Sequence, residues 1–241
     1  MRLSKYLSQN GICSRREAES FIRRGWIKVD GEVVRRLGTT ISNGSQVALH
    51  PELQKFQASL TTILMNKPVG YVSGQPEKGY KPVLSLLTKP RQHINPGQSD
   101  GPSVRWPIRN LAPAGRLDID SSGLLVFTQD GRIAQRLIAP DSAVEKEYLV
   151  RVDRKVTDQQ IRNLAHGLTL DDVKLKQAKV ELLDADYMRI VLTEGRKRQI
   201  RRMCNLVGLE VKGLKRVRIG QVRLGSLKSG MWRVLTQQEK F

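Results

Sequence analysis

The chain has 241 residues, with 42 lysines and arginines against 23 aspartates and glutamates, a formal net charge of +19 at pH 7. A surplus that large speaks to partners rather than to fold, and it leaves nucleic acid and anionic membrane as the partners to weigh. No apolar run approaches a bilayer span, and the basic start "MRLSKYLSQNG" lacks the apolar core of a signal peptide, so a cytoplasmic RNA- or DNA-binding protein without membrane contact is expected.

Residues 2–34, "RLSKYLSQNGICSRREAESFIRRGWIKVDGEVV", predict two short helices followed by a hairpin. Leu3, Tyr6 and Leu7 share one helical face, and Gly11 is the stop. Ser14 and Glu17 form a capping-box pattern that starts the second helix, which ends near Gly25. Asp30-Gly31, set between β-prone runs, is a two-residue hairpin signal. At about 100° per residue, Ala18, Phe21 and Ile22 fall in one arc of the second helix. Arg15, Arg16, Arg23 and Arg24 fill the opposite arc, with Glu19 at its edge. A charge run is ordinarily a solvated face, but four arginines against one acid favour phosphate contact. The stretch resembles the S4-like RNA-binding module, which implies a helix that grips structured RNA and leaves open whether the protein is an enzyme.

"HPELQKFQAS" (50–59) is polar and reads as an irregular linker, dividing the chain into an RNA-binding domain over 1–58 and a second domain over 59–241. "TTILMNKPVGYVSG" (61–74) begins as an apolar strand and breaks at Lys67-Pro68 and Gly70. Residues 89–110 are a long loop by composition. "GLLVFTQDG" then predicts a buried strand closed by an Asp130-Gly131 turn, and "RIAQRLIAP" a short helix with Ile133, Ala134, Leu137 and Ile138 on one side. "EKEYLVRVD" reads as a strand, "TDQQIRNLAHG" as a helix capped by Thr157 and stopped at Gly167, and "QAKVELLDADYMRIVLTEG" as a hairpin turning near Asp184-Ala185-Asp186. "EGRKRQIRRMCNLVG" (194–208) is a helix with Ile200, Met203, Cys204 and Val207 on its apolar face. Strands and helices that do not alternate regularly favour an α+β domain on an antiparallel sheet.

Cys13 and Cys204 are too few and too far apart in sequence for a disulfide framework or a zinc site, and His50, His93 and His166 are scattered. Walker, dinucleotide and nucleophile-elbow motifs do not occur, so no metal and no cofactor are expected. The acids of "GRLDIDSSGLL" (115–125) carry the interest. Asp120-Ser121-Ser122-Gly123 fits a type I turn, which gives Asp120 a structural role by default; Asp118 has no such local explanation. On the last helix Arg198 and Arg202 point away from the apolar face, whereas Arg201 sits at its border beside Cys204. An arginine there either needs a buried carboxylate partner or snorkels to solvent, and the angles leave both open.

"MNKPVG", "GRLDIDSSGLL", "EKEYLV" and "EGRKRQIRRM", in that order behind the S4-like module, closely resemble the motifs of the RNA pseudouridine synthases that modify ribosomal RNA, from Arg2 to about Trp232. The wording of the last two motifs leans toward the branch that acts on the large subunit. The resemblance implies a small S4-like domain followed by an α+β catalytic domain on a mixed, largely antiparallel sheet. It implies Asp118 as the catalytic residue, Tyr148 as the ring that packs on the target base and assists proton removal, and Arg201 as the partner of Asp118. Ribosomal RNA, with transfer RNA as an alternative, is the expected partner of a chain acting as a monomer. Lys67, Arg116, Arg198 and Arg202, with Arg15, Arg16, Arg23 and Arg24, are expected to contact RNA.

Overall fold

The computed structural model describes residues 1–75, 79–94 and 108–241. Most of the 89–110 loop lies outside the described residues.

The N-terminal unit follows its local signals closely. Helices α1 (Leu3–Gln9) and α2 (Arg15–Arg24) are followed by strands β1 (Ile27–Val29), β2 (Glu32–Val34) and β3 (Val47–Leu49) and by α3 (Pro51–Ala58). The Ser14–Glu17 capping box forms in full, and α2 ends at Gly25 in the left-handed conformation. Val29 pairs with Glu32 across Asp30-Gly31, both at positive φ, as a tight hairpin turn requires. Leu3, Leu7, Ala18, Phe21, Ile22 and Ile27 close a core of their own. The expected irregular linker is a correction: residues 51–58 are helical, with the His50 side chain accepting from Glu52 N and Pro51 in the first turn, and Leu53 is buried in the same core. A polar composition concealed one apolar anchor and two helix-start signals.

The rest of the chain builds β4 (Thr62–Lys67), β5 (Ala112–Pro113), β6 (Ser122–Thr128), α4 (Gly131–Ile138), β7 (Lys146–Val152), α5 (Asp158–Ala165), β8 (Thr169–Leu170), β9 (Val173–Lys174), β10 (Lys179–Asp184), β11 (Tyr187–Leu192), α6 (Gln199–Leu206), β12 (Val211–Ile219), β13 (Val222–Arg223) and β14 (Trp232–Val234). The main sheet runs β10-β11-β7-β12-β6-β4-β14, with β13 beside β12 and β5 beside β6. Its pairs are antiparallel except β12 with β6, so the sheet is mixed and largely antiparallel. That parallel seam joins two differently built halves. Beyond β12, helices α5 and α6 cover one face, with Val150, Met188, Ile190, Met203 and Leu214 in the core between. In β4 and β6 both faces are buried: Leu64, Leu124 and Val126 face one cluster, Ile63, Met65, Leu125 and Phe127 the other. A strand buried on both faces reads as a continuous apolar run, which is how both appear in sequence.

Three local expectations change. Asp130 caps α4 through a bond from Arg132 N rather than closing a turn. Ile138 is 54% exposed, so the apolar stripe of α4 is narrower than its pattern. The last helix begins at Gln199, and Arg198 precedes it with φ 51°, so an angular count does not apply to Arg198. The N-terminal unit meets the second domain at the start of α4: Glu17 Oε1 accepts from Gly131 N at 3.4 Å, and Arg132 Nη1 donates to Gln57 Oε1 at 3.0 Å. A Cβ at residue 131 would run into Ser14 and Glu17, so glycine is needed for that approach.

Candidate active site

The loop 115–121 leads into β6 next to the parallel seam and rests on the end of β4. The Ser73 hydroxyl accepts from Leu117 N at 3.0 Å and donates to Leu117 O at 2.7 Å. Gly70 N donates to Ile119 O at 2.8 Å. Lys67 Nζ donates to Ser121 O at 2.6 Å, Pro68 O at 3.1 Å and Ile119 O at 3.4 Å. "MNKPVG" and "GRLD" are thus one unit in space: the first is a cradle and the second is held in it.

Lys67 is therefore corrected from RNA contact to internal support, because its side chain is wholly buried. Burial lowers its pKa to about 8; the charges of Asp120 and Asp118 oppose that fall and Arg216 adds to it. The turn also shifts. Ser121 N donates to Asp118 O at 3.1 Å, so the turn opens at Asp118 and not, as the residue pattern predicts, at Asp120. Gly123 is a strand residue with φ 104°, and any side chain there would collide with the backbone of Arg216 on β12.

Arg201 finds the carboxylate its border position calls for, but that carboxylate belongs to Asp120. Arg201 Nε lies 3.2 Å from Asp120 Oδ2, Nη2 donates to Asp120 O at 2.9 Å and Nη1 to Val211 O at 3.0 Å. Its side chain is 12% exposed. Arg198 completes the clamp, donating from Nη2 to Asp120 Oδ2 at 3.0 Å and from Nη1 to Asp120 Oδ1 at 3.3 Å. Burial pushes the Asp120 carboxyl up, but the hydrogen bonds from Arg198 and the charges of Arg201 and Arg198 outweigh it and hold the group below the usual carboxylate range. The expected pairing of Arg201 with Asp118 is thus replaced. The guanidinium that approaches Asp118 is that of Arg198, at 4.0 Å, and the Asp118 side chain is 34% exposed, without a close partner among the described residues. The arrangement immobilises one acid and leaves its neighbour available.

Tyr148 stands in the middle of β7, opposite Ile190 on one side and Arg216 on the other. Half-buried, it packs against the clusters of both sheet halves, one of which includes Leu117 beside Asp118. It stands on the strand next to β12, one strand removed from the parallel seam, and its link to the acid loop is the cluster that Leu117 shares.

With the geometry established, similarity to known proteins decides the family. The model of the RNA pseudouridylate synthase family matches residues 61–206, and that of the S4 domain residues 1–47. The chain belongs to the RNA pseudouridylate synthase family. It is 38% identical to an uncharacterised RNA pseudouridine synthase of Aquifex aeolicus, across 99% of this chain and 94% of the relative. It is 34% identical to the dual-specificity RNA pseudouridine synthase RluF of Escherichia coli K12, across 99% and 77%, and 34% identical to the ribosomal large subunit pseudouridine synthase B of Bacillus subtilis, across 99% and 93%. A crystal structure of a pseudouridylate synthase superposes with a TM-score of 0.66 at 29% identity, covering 98% of this chain and 96% of that one.

In this synthase the arginines named from sequence fall into two groups. Arg15, Arg16, Arg23, Arg24 and Arg116 are exposed, and Arg24 stacks over the Trp26 ring at 4.8 Å. Arg202 instead donates from Nη2 and Nη1 to the two carboxylate oxygens of Asp171 at 2.6 and 2.9 Å, an ion pair at the surface. Two residues escaped sequence reasoning. Ser73 carries no signal beyond its composition. Arg216 does carry one: it follows Leu214 by two positions in a strand, so alternation places it on the face that packs against the core, where a charge is out of place.

Proposed function

We propose that the synthase converts a specific uridine of ribosomal RNA, most favourably of the large subunit, into pseudouridine, with Asp118 as its catalytic residue. The observation that carries this reading is the asymmetry of the acid pair: Asp120 is clamped by Arg198 and Arg201, while Asp118, on the same loop, keeps a partly exposed carboxylate without such a clamp and follows Leu117, whose cluster Tyr148 packs against. The names of the relatives in Escherichia coli and Bacillus subtilis, both RNA pseudouridine synthases and the latter of the large ribosomal subunit, support the substrate class.

The reaction needs little more than this. The bond from C1′ to N1 breaks with its electron pair leaving on uracil, which is stabilised as an anion. The ring turns, a bond forms from C1′ to C5, the C5 proton departs and N1 takes one up. No water is consumed, so the second carboxylate of a hydrolytic glycosidase has no task. Asp118 acts at the sugar, as nucleophile on C1′ or as base at the neighbouring carbon. Tyr148 supplies a flat ring for the flipped base and a hydroxyl for the C5 proton. Arg201 acts through Asp120: by fixing that side chain and its carbonyl it fixes the turn that presents Asp118.

The test is Asp118→Asn, nearly isosteric, assayed on transcripts of both ribosomal RNAs made with uridine tritiated at C5. The expected outcome is loss of tritium release with RNA affinity within about 3-fold of the parent, since a single carboxylate contributes little to phosphate-driven binding. Full tritium release from Asp118→Asn removes Asp118 from the mechanism.

A further inference from the structure

Arg216 occupies the centre of β12, in one row across the sheet with Tyr148 on β7 and Gly123 on β6. Its side chain is 5% exposed. Nε donates to Leu124 O at 2.8 Å and Nη1 to Arg116 O at 3.5 Å, carbonyls that lie on either side of Asp118 in the chain. Both acceptors are neutral. Its Nη2 is buried and has no hydrogen-bond partner among the described residues.

Such a group is costly. An unpaired buried donor forfeits about 1–3 kcal/mol, and more when the group is charged. The bonds to Leu124 O and Arg116 O account for Nε and Nη1 but give no reason for a third, unpartnered nitrogen. Its surroundings make the charge stranger still, since Lys67 and Lys146 are both close enough for Arg216 to disfavour their protonation. A buried cation with a spare N–H, set beside other cations, is a place prepared for negative charge.

We propose that Arg216 is a substrate-positioning residue whose Nη2 is the donor held for a carbonyl oxygen of the target uracil. This rests on the reading of Asp118 as the catalytic residue and Tyr148 as the platform. Neighbouring strands lie about 4.8 Å apart, so a base stacked on Tyr148 brings its edge over the adjoining residue of β12, which is Arg216. The base supplies the missing acceptor on entering. When the bond from C1′ to N1 breaks, the electron pair spreads onto the uracil carbonyl oxygens, and a preorganised donor at that point lowers the barrier. As uracil rejoins the sugar through C5, with the C5 proton lost and N1 protonated, the charge disappears and the contact weakens, favouring release of the product ring.

The experiment compares Arg216→Met and Arg216→Lys with the parent, on the same tritiated ribosomal transcripts, measuring kcat, KM, the salt dependence of RNA binding and the melting temperature. A lost oxyanion-type donor costs about 100-fold or more in rate. Arg216→Met is therefore expected to lower kcat by about 100-fold, with KM within 3-fold and the salt slope unchanged, and Arg216→Lys to fall between the two. In Arg216→Ala, added guanidinium restores part of kcat. A fall in the salt slope of about one unit with kcat intact identifies a backbone phosphate as the acceptor and overturns the proposal. A lower melting temperature with unchanged kcat assigns Arg216 to the fold alone and overturns it as well. Should Arg216→Met not fold, Arg216→Lys decides: parental kcat with no salt-slope change counts against the proposal. Activity in Asp118→Asn marks failure of the underlying site reading and is scored separately.

Discussion

The arginines of α2 and those of the second domain are the same residue put to opposite uses. Arg15, Arg16 and Arg23 stand in solvent, and Arg24 rests on the face of Trp26, which fixes its direction without neutralising it. In the second domain several guanidinium groups hold carboxylates. Arg218 binds Glu147 at 2.7 Å and Glu145 at 2.9 Å, Arg233 binds Glu239 at 2.6 Å, Arg202 binds Asp171, and Arg198 with Arg201 encloses Asp120. A charge already paired within the protein displaces few counterions from RNA; an unpaired one displaces nearly its full share. The large net charge therefore overstates the positive surface around the acid loop and describes that of α2 well. We propose that the first region serves affinity for RNA and the second serves position.

The largest way to break that contrast is Arg201→Ala. The substitution removes two bonds to carbonyls and a contact with Asp120, so a loss of about 2 kcal/mol is expected, discounted because the Asp120 side chain is itself partly exposed. Activity falls by at least 10-fold because the turn at Asp118 loosens, whereas RNA affinity barely moves. Arg198→Ala, which removes a more exposed partner, costs less than about 1 kcal/mol. Urea melts of both variants check the order, and a larger loss from Arg198→Ala would invert the assignment of support and rim. A smaller effect is expected of Arg15→Ala combined with Arg16→Ala. With two phosphate contacts gone, the slope of log affinity against log salt falls by roughly 1.5–2 units, and kcat on saturating RNA is unchanged. Arg202→Ala is the matched control, and its slope stays with the parent because Asp171 already holds that charge. Equal slopes for the double variant and Arg202→Ala would erase the distinction.

What the sequence discloses follows the range of the forces involved. The Ser14–Glu17 box, the Asp30-Gly31 turn and the Thr157 cap are settled within a few residues, and each forms as its pattern predicts. The four motifs identify the family because their order survives any error in local geometry. Partnership is another matter. The helical angle places Arg201 at the core's edge, but an angle cannot choose between two aspartates separated by a single residue, and the choice is made by a turn whose register differs by two positions from the local pattern. Lys67 misleads for the converse reason. Beside a proline it looks like the end of a strand, yet it continues the buried alternation of Ile63 and Met65, and carbonyls 52 and 54 residues away accept its hydrogen bonds.

Lys67 yields the smallest and most selective effect. Its pKa in the folded protein is about 8, against 10.5 for an unburied lysine, with burial as the main cause. Below pH 8 both folded and unfolded chains carry the proton, and the folded state bears the full cost of the buried charge. Between pH 8 and 10.5 the folded chain has released it while the unfolded chain still binds it, so this residue's contribution to stability rises with pH and levels off above 10.5. The slope has the same sign as that of the clamp on Asp120, whose lowered pKa contributes stability that is lost as acid protonates it, but it falls in the alkaline range instead of the acid one. Because tyrosines and other lysines titrate in the same alkaline window, the measurable quantity is the difference between the parent and Lys67→Met. The parent should gain on the variant as pH climbs from 8 to 10.5, although Lys67→Met is the less active throughout because Ile119 and Ser121 lose their donor. Parallel stability curves would mean that Lys67 stays protonated in the folded chain, with the acid loop resting on a full positive charge.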